Sequence, residues 1–379
     1  MKRLICFFLC FAMFVPCVVR AEGDKIEGVN AKACVLVEAS TGEVLREMNP
    51  DIRLPIASVT KIMTMLLIME RIDSGVLSLD DMVSVSENAM SYGGSTMFLE
   101  AGERLSVNDM LKGIAVASAN DGCVAMAEHI AGSESAFVDM MNARAKELGM
   151  ENTHFMNTNG LDDDEHYSSA RDVAIMSCEL LKHPKITDFT SIWTDELRGG
   201  KFQLANTNKL IRFYTGANGL KTGSTSKALC CLCATAIKND MQLVAVVLGA
   251  PTSDERFGSA RALLDQGFAS YSLLRLANAG EEVCDAAVEN GEEAQVRALV
   301  AEDKTRLINR SGGNEPERAV TLNEEIKAPV RKGDVIGRLD FIQNGSTVDS
   351  VELVAGADIN RKGIGKIMLD ILHSIIIGE

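Results

Sequence analysis

The chain has no excess of basic side chains. Across 379 residues, 38 Lys and Arg stand against 53 Asp and Glu, a formal net charge of −15. Nucleic-acid binding draws on a basic face, so nothing here points to a nucleic-acid partner. A cysteine framework is missing too. Of ten cysteines, Cys6, Cys10 and Cys17 lie at the extreme N-terminus, leaving an odd seven in a long chain. The cluster Cys230-Cys231-Leu232-Cys233 lacks the two-residue spacer and partner pair of a zinc site. It sits in a strand-like apolar run and reads as buried free thiols. No G-x-S-x-G elbow, phosphate loop, internal repeat or long low-complexity segment occurs. No metal and no cofactor are expected.

What is present begins with an export signal. Lys2 and Arg3 precede an apolar stretch over residues 4–19, and Val19-Arg20-Ala21 ends on a small residue. That layout predicts a secretory signal peptide over residues 1–21, so the protein is expected at the outer face of the cytoplasmic membrane or in the cell wall or periplasm. An uncleaved anchor is the alternative, disfavoured by the short apolar stretch. Removing the three basic residues of this segment leaves 35 against 53, a net charge of −18.

The remaining pattern predicts an α+β fold. Residues 33–48 read as a hairpin around Thr41-Gly42. From about 58 to 190 the periodicity is helical. Residues 219–249 return to strands, broken by the turn signal Asn239-Asp240, and a helix is expected over roughly 254–275. Strands at both ends with helices between them favour an antiparallel sheet flanked by helices, with a helical insertion. Catalytic residues are expected within 22–276. Residues 277–357 read as a small all-β domain. Residues 358–379 read as an amphipathic helix, with Ile364, Ile367, Met368, Ile371, Leu372 and Ile375 on one face. Such a helix suits a membrane surface better than a membrane crossing; packing on the β domain is the alternative.

Within the helical region, Lys61 opens a run that is otherwise apolar on every side, Ile62 to Met69. Burying a lysine there is costly unless the amine is paired or used. Ser58 stands three residues earlier, one helical turn away on the same face. A desolvated lysine is pushed toward its neutral form, which suits a general base for a serine nucleophile. The competing reading is an N-cap serine followed by a lysine reaching for solvent. Alone the motif is weak, since Ser224-Thr-Ser-Lys227 has the same spelling at what reads as a strand end. Two further elements add to it: Ser118-Ala119-Asn120, at the end of an apolar helix, and Lys221-Thr222-Gly223, which occurs once. Ser86-Glu87-Asn88 and Ser106-Val107-Asn108 share the S-x-N spelling but read as helix caps.

S-x-x-K, S-x-N and K-T-G in this order are shared by class A β-lactamases and penicillin-binding proteins. The chain resembles the D-alanyl-D-alanine carboxypeptidases, the low-molecular-mass penicillin-binding proteins. The stretches that carry the resemblance are NPDIRLPIASVTKIMT, VASANDGCVAMAEHIAG, FVDMMNARAKELGM, NTNGLD, GANGLKTGSTSKA and KAPVRKGDVIG. Ala228-Leu229 departs from the Ala-Gly that the family often places there. The resemblance implies a β-lactamase/transpeptidase-like fold and a serine peptidase acting on peptidoglycan stem peptides ending in D-Ala-D-Ala, acylated by β-lactam antibiotics. It implies Ser58 as nucleophile, Lys61 as its base and Ser118 as a proton relay. Asn120 would bind the substrate amide. Lys221 would lend positive charge, Thr222 would help position the terminal carboxylate, and Arg256 would lie near that carboxylate, a helix-surface charge pair being its alternative. Gly223 itself, lacking a side chain, leaves room where a ligand could lie along the strand edge. The backbone N–H groups of Ser58 and Ser224 would form the oxyanion hole. A serine β-lactamase shares the first half of this chemistry, but needs neither a β domain nor a tail. A non-catalytic penicillin-binding sensor is the third reading.

Overall fold

The computed structural model describes residues 25–312, 315–366 and 368. The expected signal peptide and most of the amphipathic tail lie outside the described residues. Ala33–Glu38 (β1) and Val44–Met48 (β2) form the expected hairpin, with Gly42 at a φ of +72° in the turn. Ala217–Thr225 (β3), Leu229–Lys238 (β4) and Met241–Ala250 (β5) join them in one antiparallel sheet, ordered β2-β1-β5-β4-β3. Asn239 and Asp240, at φ of +50° and +61°, make the two-residue turn between β4 and β5. Positive φ at both positions matches the twist of the strands it joins. The sheet is therefore built from the two ends of its unit.

Alternation along the strands feeds two cores. Val35, Val37, Val244, Val246 and Leu248 join the helical layer on one face. Cys34, Leu36, Leu243, Ala245 and Val247 join a smaller core on the other. The helical layer contains Lys61–Asp73 (α1), Asn120–Ala131 (α2), Glu134–Glu147 (α3) and Ala170–Leu181 (α4). Helix α1 is its centre: every residue from Lys61 to Met69 is buried. That is why its sequence is apolar all round.

Ser253–Ser270 (α5) covers the opposite face through Phe257, Ala260, Leu263 and Leu264. Gly267 lets it lie close, since a Cβ there would stand 2.6 Å from Leu243 Cδ1. This helix stops five residues before the expected end at 275. Tyr271–Ala277 is instead a strand paired with Lys304–Asn309. Its leucines suit either period, and the ladder partner far along the chain decides between them. Beyond it, Glu282–Ala287, Gln295–Val300, Ser346–Ala355, Val335–Gln343 and Glu317–Leu322 lie in that order in an antiparallel sheet with its own apolar core.

Candidate active site

Ser58 sits in a single 3-10 turn, Ala57–Thr60, that runs directly into α1. Ala57 has a φ of +48°, a conformation unusual for a residue with a side chain. Such backbone persists only where the surroundings enforce it. Two neighbours do so here. A Cβ on Gly160 would stand 1.9 Å from the Ala57 carbonyl oxygen, and one on Gly223 would stand 2.6 Å from Ile56 O and 3.0 Å from Ser58 N. Gly223 thus leaves room for the backbone beside Ser58.

Lys61 is fully buried. Its Nζ lies 2.8 Å from Ser58 Oγ, 2.7 Å from Asn120 Oδ1 and 2.7 Å from the Asn159 carbonyl oxygen. Two of these neighbours only accept hydrogen bonds. A neutral amine has two N–H donors and one lone pair, so donating to both carbonyls leaves the lone pair for the Ser58 hydroxyl. Burial pushes the Lys61 amine down to about 8, partly opposed by the nearby Cys123 and Asp121. The two effects work together: burial brings the neutral form within reach near pH 8, and the hydrogen bonds aim its lone pair at the serine oxygen.

Ser118 stands two residues before Asn120, which holds Lys61. Helix Val107–Lys112 starts at Ser106, whose Oγ accepts from Asp109 N at 3.1 Å, and Ser86 caps its own short helix in the same way. Both S-x-N look-alikes are therefore caps. The chain continues through a wide π turn, Gly113–Ala117, and reverses at Ser118 with φ of +64°. Turns of this kind gather at functional sites. Ser118 is 3% exposed, and among the described residues its hydroxyl takes no protein partner. Asn120 opens α2 and is held at both ends of its amide: Oδ1 accepts from Lys61, and Nδ2 donates to Gly93 O at 2.7 Å.

The third motif lies on β3, the edge strand. Lys221 is buried and donates to Thr222 O at 3.1 Å. Desolvation, then the proximity of Lys61, hold its amine well below the usual lysine range. Thr222 Oγ1 donates to Thr207 Oγ1 at 2.7 Å, while Ser224 is exposed. Arg256, on α5, is not a surface charge, and among the described residues it pairs with no carboxylate. It is 8% exposed, and its guanidinium donates to Gly223 O at 3.1 Å and Cys231 O at 3.3 Å. It ties β3 and β4 together beneath the K-T-G stretch.

Several contributors were not legible as site residues. Asn159 supplies a backbone oxygen, and the Asn157-Thr158-Asn159-Gly160 turn was its one trace in the sequence. Asp121 is buried and accepts from the backbone N–H groups of Met97, Leu99 and Gly122, which fastens the 93–99 loop to α2. His166 is buried with its ring nitrogens against Thr60 Oγ1 at 2.7 Å and Met156 N at 3.1 Å. Since Met156 N donates to Nδ1, the neutral ring presents Nε2–H to Thr60.

This arrangement has known counterparts. A family model described as D-alanyl-D-alanine carboxypeptidase matches residues 19–252, and one described as penicillin-binding protein 5, C-terminal domain matches residues 271–361. The D-alanyl-D-alanine carboxypeptidase DacF of Bacillus subtilis is 42% identical over 373 residues, 96% of each chain. DacC of Escherichia coli, also a D-alanyl-D-alanine carboxypeptidase, is 33% identical over 93% of this chain and 90% of its own. The crystal structure of penicillin-binding protein 5 from Haemophilus influenzae is 32% identical, with a TM-score of 0.75 over 89% of this chain and all of the other. Penicillin-binding protein D2 from Listeria monocytogenes, in its ampicillin-bound form, is 31% identical with a TM-score of 0.59 over 64% of this chain and 100% of the other. The chain belongs to the D-alanyl-D-alanine carboxypeptidase family, with a C-terminal domain of the penicillin-binding protein 5 type.

Proposed function

We propose that this protein removes the terminal D-alanine from peptidoglycan stem peptides through an acyl-enzyme on Ser58. The observation that carries the reading is the buried Lys61 amine, 2.8 Å from Ser58 Oγ and held by two carbonyl-type acceptors. Ser58 Oγ attacks the carbonyl carbon of the penultimate D-alanine, and its proton passes to the Lys61 lone pair. The developing oxyanion is received by the backbone N–H groups of Ser58 and Ser224. When the intermediate collapses, the peptide C–N bond breaks. The departing D-alanine nitrogen takes a proton relayed through Ser118. Water then cleaves the ester and restores Ser58. Asn120 holds Lys61 in place and faces the substrate amide.

Lys221 and Thr222 serve the substrate carboxylate. An arriving carboxylate supplies the counter-charge that buried Lys221 lacks, and so favours its protonated form. Arg256 supports this subsite from beneath. β-Lactams enter by the same attack, and their opened ring stays on Ser58 as a slow-leaving adduct. No cofactor takes part in these steps. The chain acts outside the cytoplasmic membrane, delivered by residues 1–21 and held at the membrane surface by the tail. No helix among the described residues is long and apolar enough to cross a membrane.

A time course of intact mass with benzylpenicillin tests the proposal, with Ser58→Ala in parallel. A long-lived adduct on the wild type alone is expected, together with release of D-alanine from a D-Ala-D-Ala peptide. Rapid hydrolysis of the drug without a lasting adduct would instead make the protein a β-lactamase. Labelling of the Ser58→Ala variant would move the nucleophile elsewhere.

A further inference from the structure

Lys61 depends on two oxygens that its own helix does not supply. One is the Asn159 carbonyl, on the loop after α3; the other is Asn120 Oδ1, whose amide is anchored on the Gly93 carbonyl. The two loops that carry Gly93 and Asn159 are far apart in sequence. Glu134, the first residue of α3, touches both. Its Oε1 accepts from Thr158 N at 3.2 Å and from Thr158 Oγ1 at 2.9 Å, one residue before Asn159. Its Oε2 accepts from the Tyr92 hydroxyl, one residue before Gly93. From the other side, Thr64 Oγ1 on α1 donates to Thr158 O at 2.6 Å.

We propose that Glu134 is a positioning residue for the acylation step. Its carboxylate clamps the 92–95 and 157–160 loops against each other, so that Asn120 Oδ1 and Asn159 O both meet Lys61 Nζ. The inference rests on the reading of Lys61 as the base for Ser58. It reaches further, to a residue that touches neither substrate nor nucleophile. The geometry has a simple logic. A carboxylate has two oxygens, and each holds a different loop. The clamp's action is geometric: Glu134 touches Thr158 and Tyr92, not Lys61 itself. A displaced acceptor lets the amine turn its lone pair away from Ser58. Misplacement of about 1 Å in such a site costs on the order of a hundredfold in rate.

Three variants test it: Glu134→Ala, Glu134→Gln and Tyr92→Phe. The readouts are the second-order rate constant for benzylpenicillin acylation from pH 6 to pH 10, and the thermal midpoint of each protein. Glutamine keeps one acceptor for Thr158 and places an N–H toward the Tyr92 oxygen, so it preserves the clamp without the charge. The expected result is acylation slowed at least about tenfold in Glu134→Ala, with its pH midpoint moved upward as water reaches Lys61. Glu134→Gln should stay within about threefold of wild type, and Tyr92→Phe should fall between them. An Ala variant with the wild-type rate and pH profile overturns the proposal. So does equal loss in Ala and Gln variants with an unchanged midpoint, which would mean a purely structural role. If Glu134→Ala does not fold, Tyr92→Phe decides, since it removes one arm and leaves the rest; a wild-type profile there overturns the clamp. A wild-type enzyme that forms no adduct would remove the parent reading itself, a result distinct from any difference among the variants.

Discussion

Gly160 lies directly against the Ala57 carbonyl, so close that a Cβ on it would come within 1.9 Å of that oxygen and 2.9 Å of Ser58 N. Gly160 itself has a φ of +87°, and Ala57 one of +48°. Two unusual backbone conformations therefore brace each other beside Ser58, the proposed nucleophile, and the neighbouring Asn159 carbonyl reaches Lys61 from the same loop. Strain of this kind is held by packing around it, and it is local to the place where the serine must be presented.

Gly160→Ala is expected to fail on both counts. The new methyl meets backbone atoms that have no rotamer to yield with, and the left-handed conformation disfavours any side chain. A loss of about 3 kcal/mol in stability is expected, with penicillin labelling reduced more than the unfolded fraction explains. Thermal unfolding alongside the mass time course measures both. A variant that labels at the wild-type rate would show that this contact does not position Ser58.

Acylation should rise with pH. Burial brings the Lys61 amine down to about 8 in the folded enzyme, and the base works only when deprotonated. The rate constant for penicillin acylation should therefore climb through a midpoint near pH 8, flattening above it. A flat profile from pH 6 to pH 10 would assign the proton to another acceptor.

Acid stability should be limited by His166. Burial brings its imidazole from 6.5 down to about 4, so the folded ring stays neutral where the unfolded ring takes a proton. Between those values the unfolded state binds more protons, and stability rises with pH. The contribution is fully present above about pH 6.5 and is lost as pH falls toward 4, by on the order of 3 kcal/mol. Comparing the pH dependence of the thermal midpoint in wild type and His166→Gln isolates it. The two slopes should differ between pH 4 and pH 6.5; parallel curves would mean that His166 protonates without opposing the fold.

The tail prediction is simple to check. Within the described residues, Ile364 and Met368 are 81% and 60% exposed, an apolar beginning with little protein cover. Removing residues 361–379 is expected to move the protein from the membrane fraction to the soluble one. Equal partitioning of full-length and truncated forms would reject the tail as an anchor.

Ser58, Lys61, Ser118, Asn120 and Lys221 were legible in the sequence because each belongs to a short motif with its own local geometry. Ser58 and Lys61 are one turn apart on a single chain segment, so spacing alone brings them together. The apolar run after Lys61 already implied that the amine would be buried. Arg256 was visible as a residue, but its partners are backbone carbonyls on β3 and β4. Its neighbours on α5 gave no sign of that burial.

The sequence by itself determined the five motif side chains, the resemblance they carry, and the order of elements apart from the strand Tyr271–Ala277. The elements and motifs follow from periodicities and spacings that span a few residues. Only the tertiary structure decided which oxygens hold the Lys61 amine, why Gly160 and Gly223 carry no side chain, and that Glu134 joins two distant loops. Those relations join side chains distant in sequence or rest on backbone atoms, whose chemistry is the same at every position. A carbonyl acquires a role only when folding sets it within hydrogen-bond reach of a particular amine, and no residue letter records that distance.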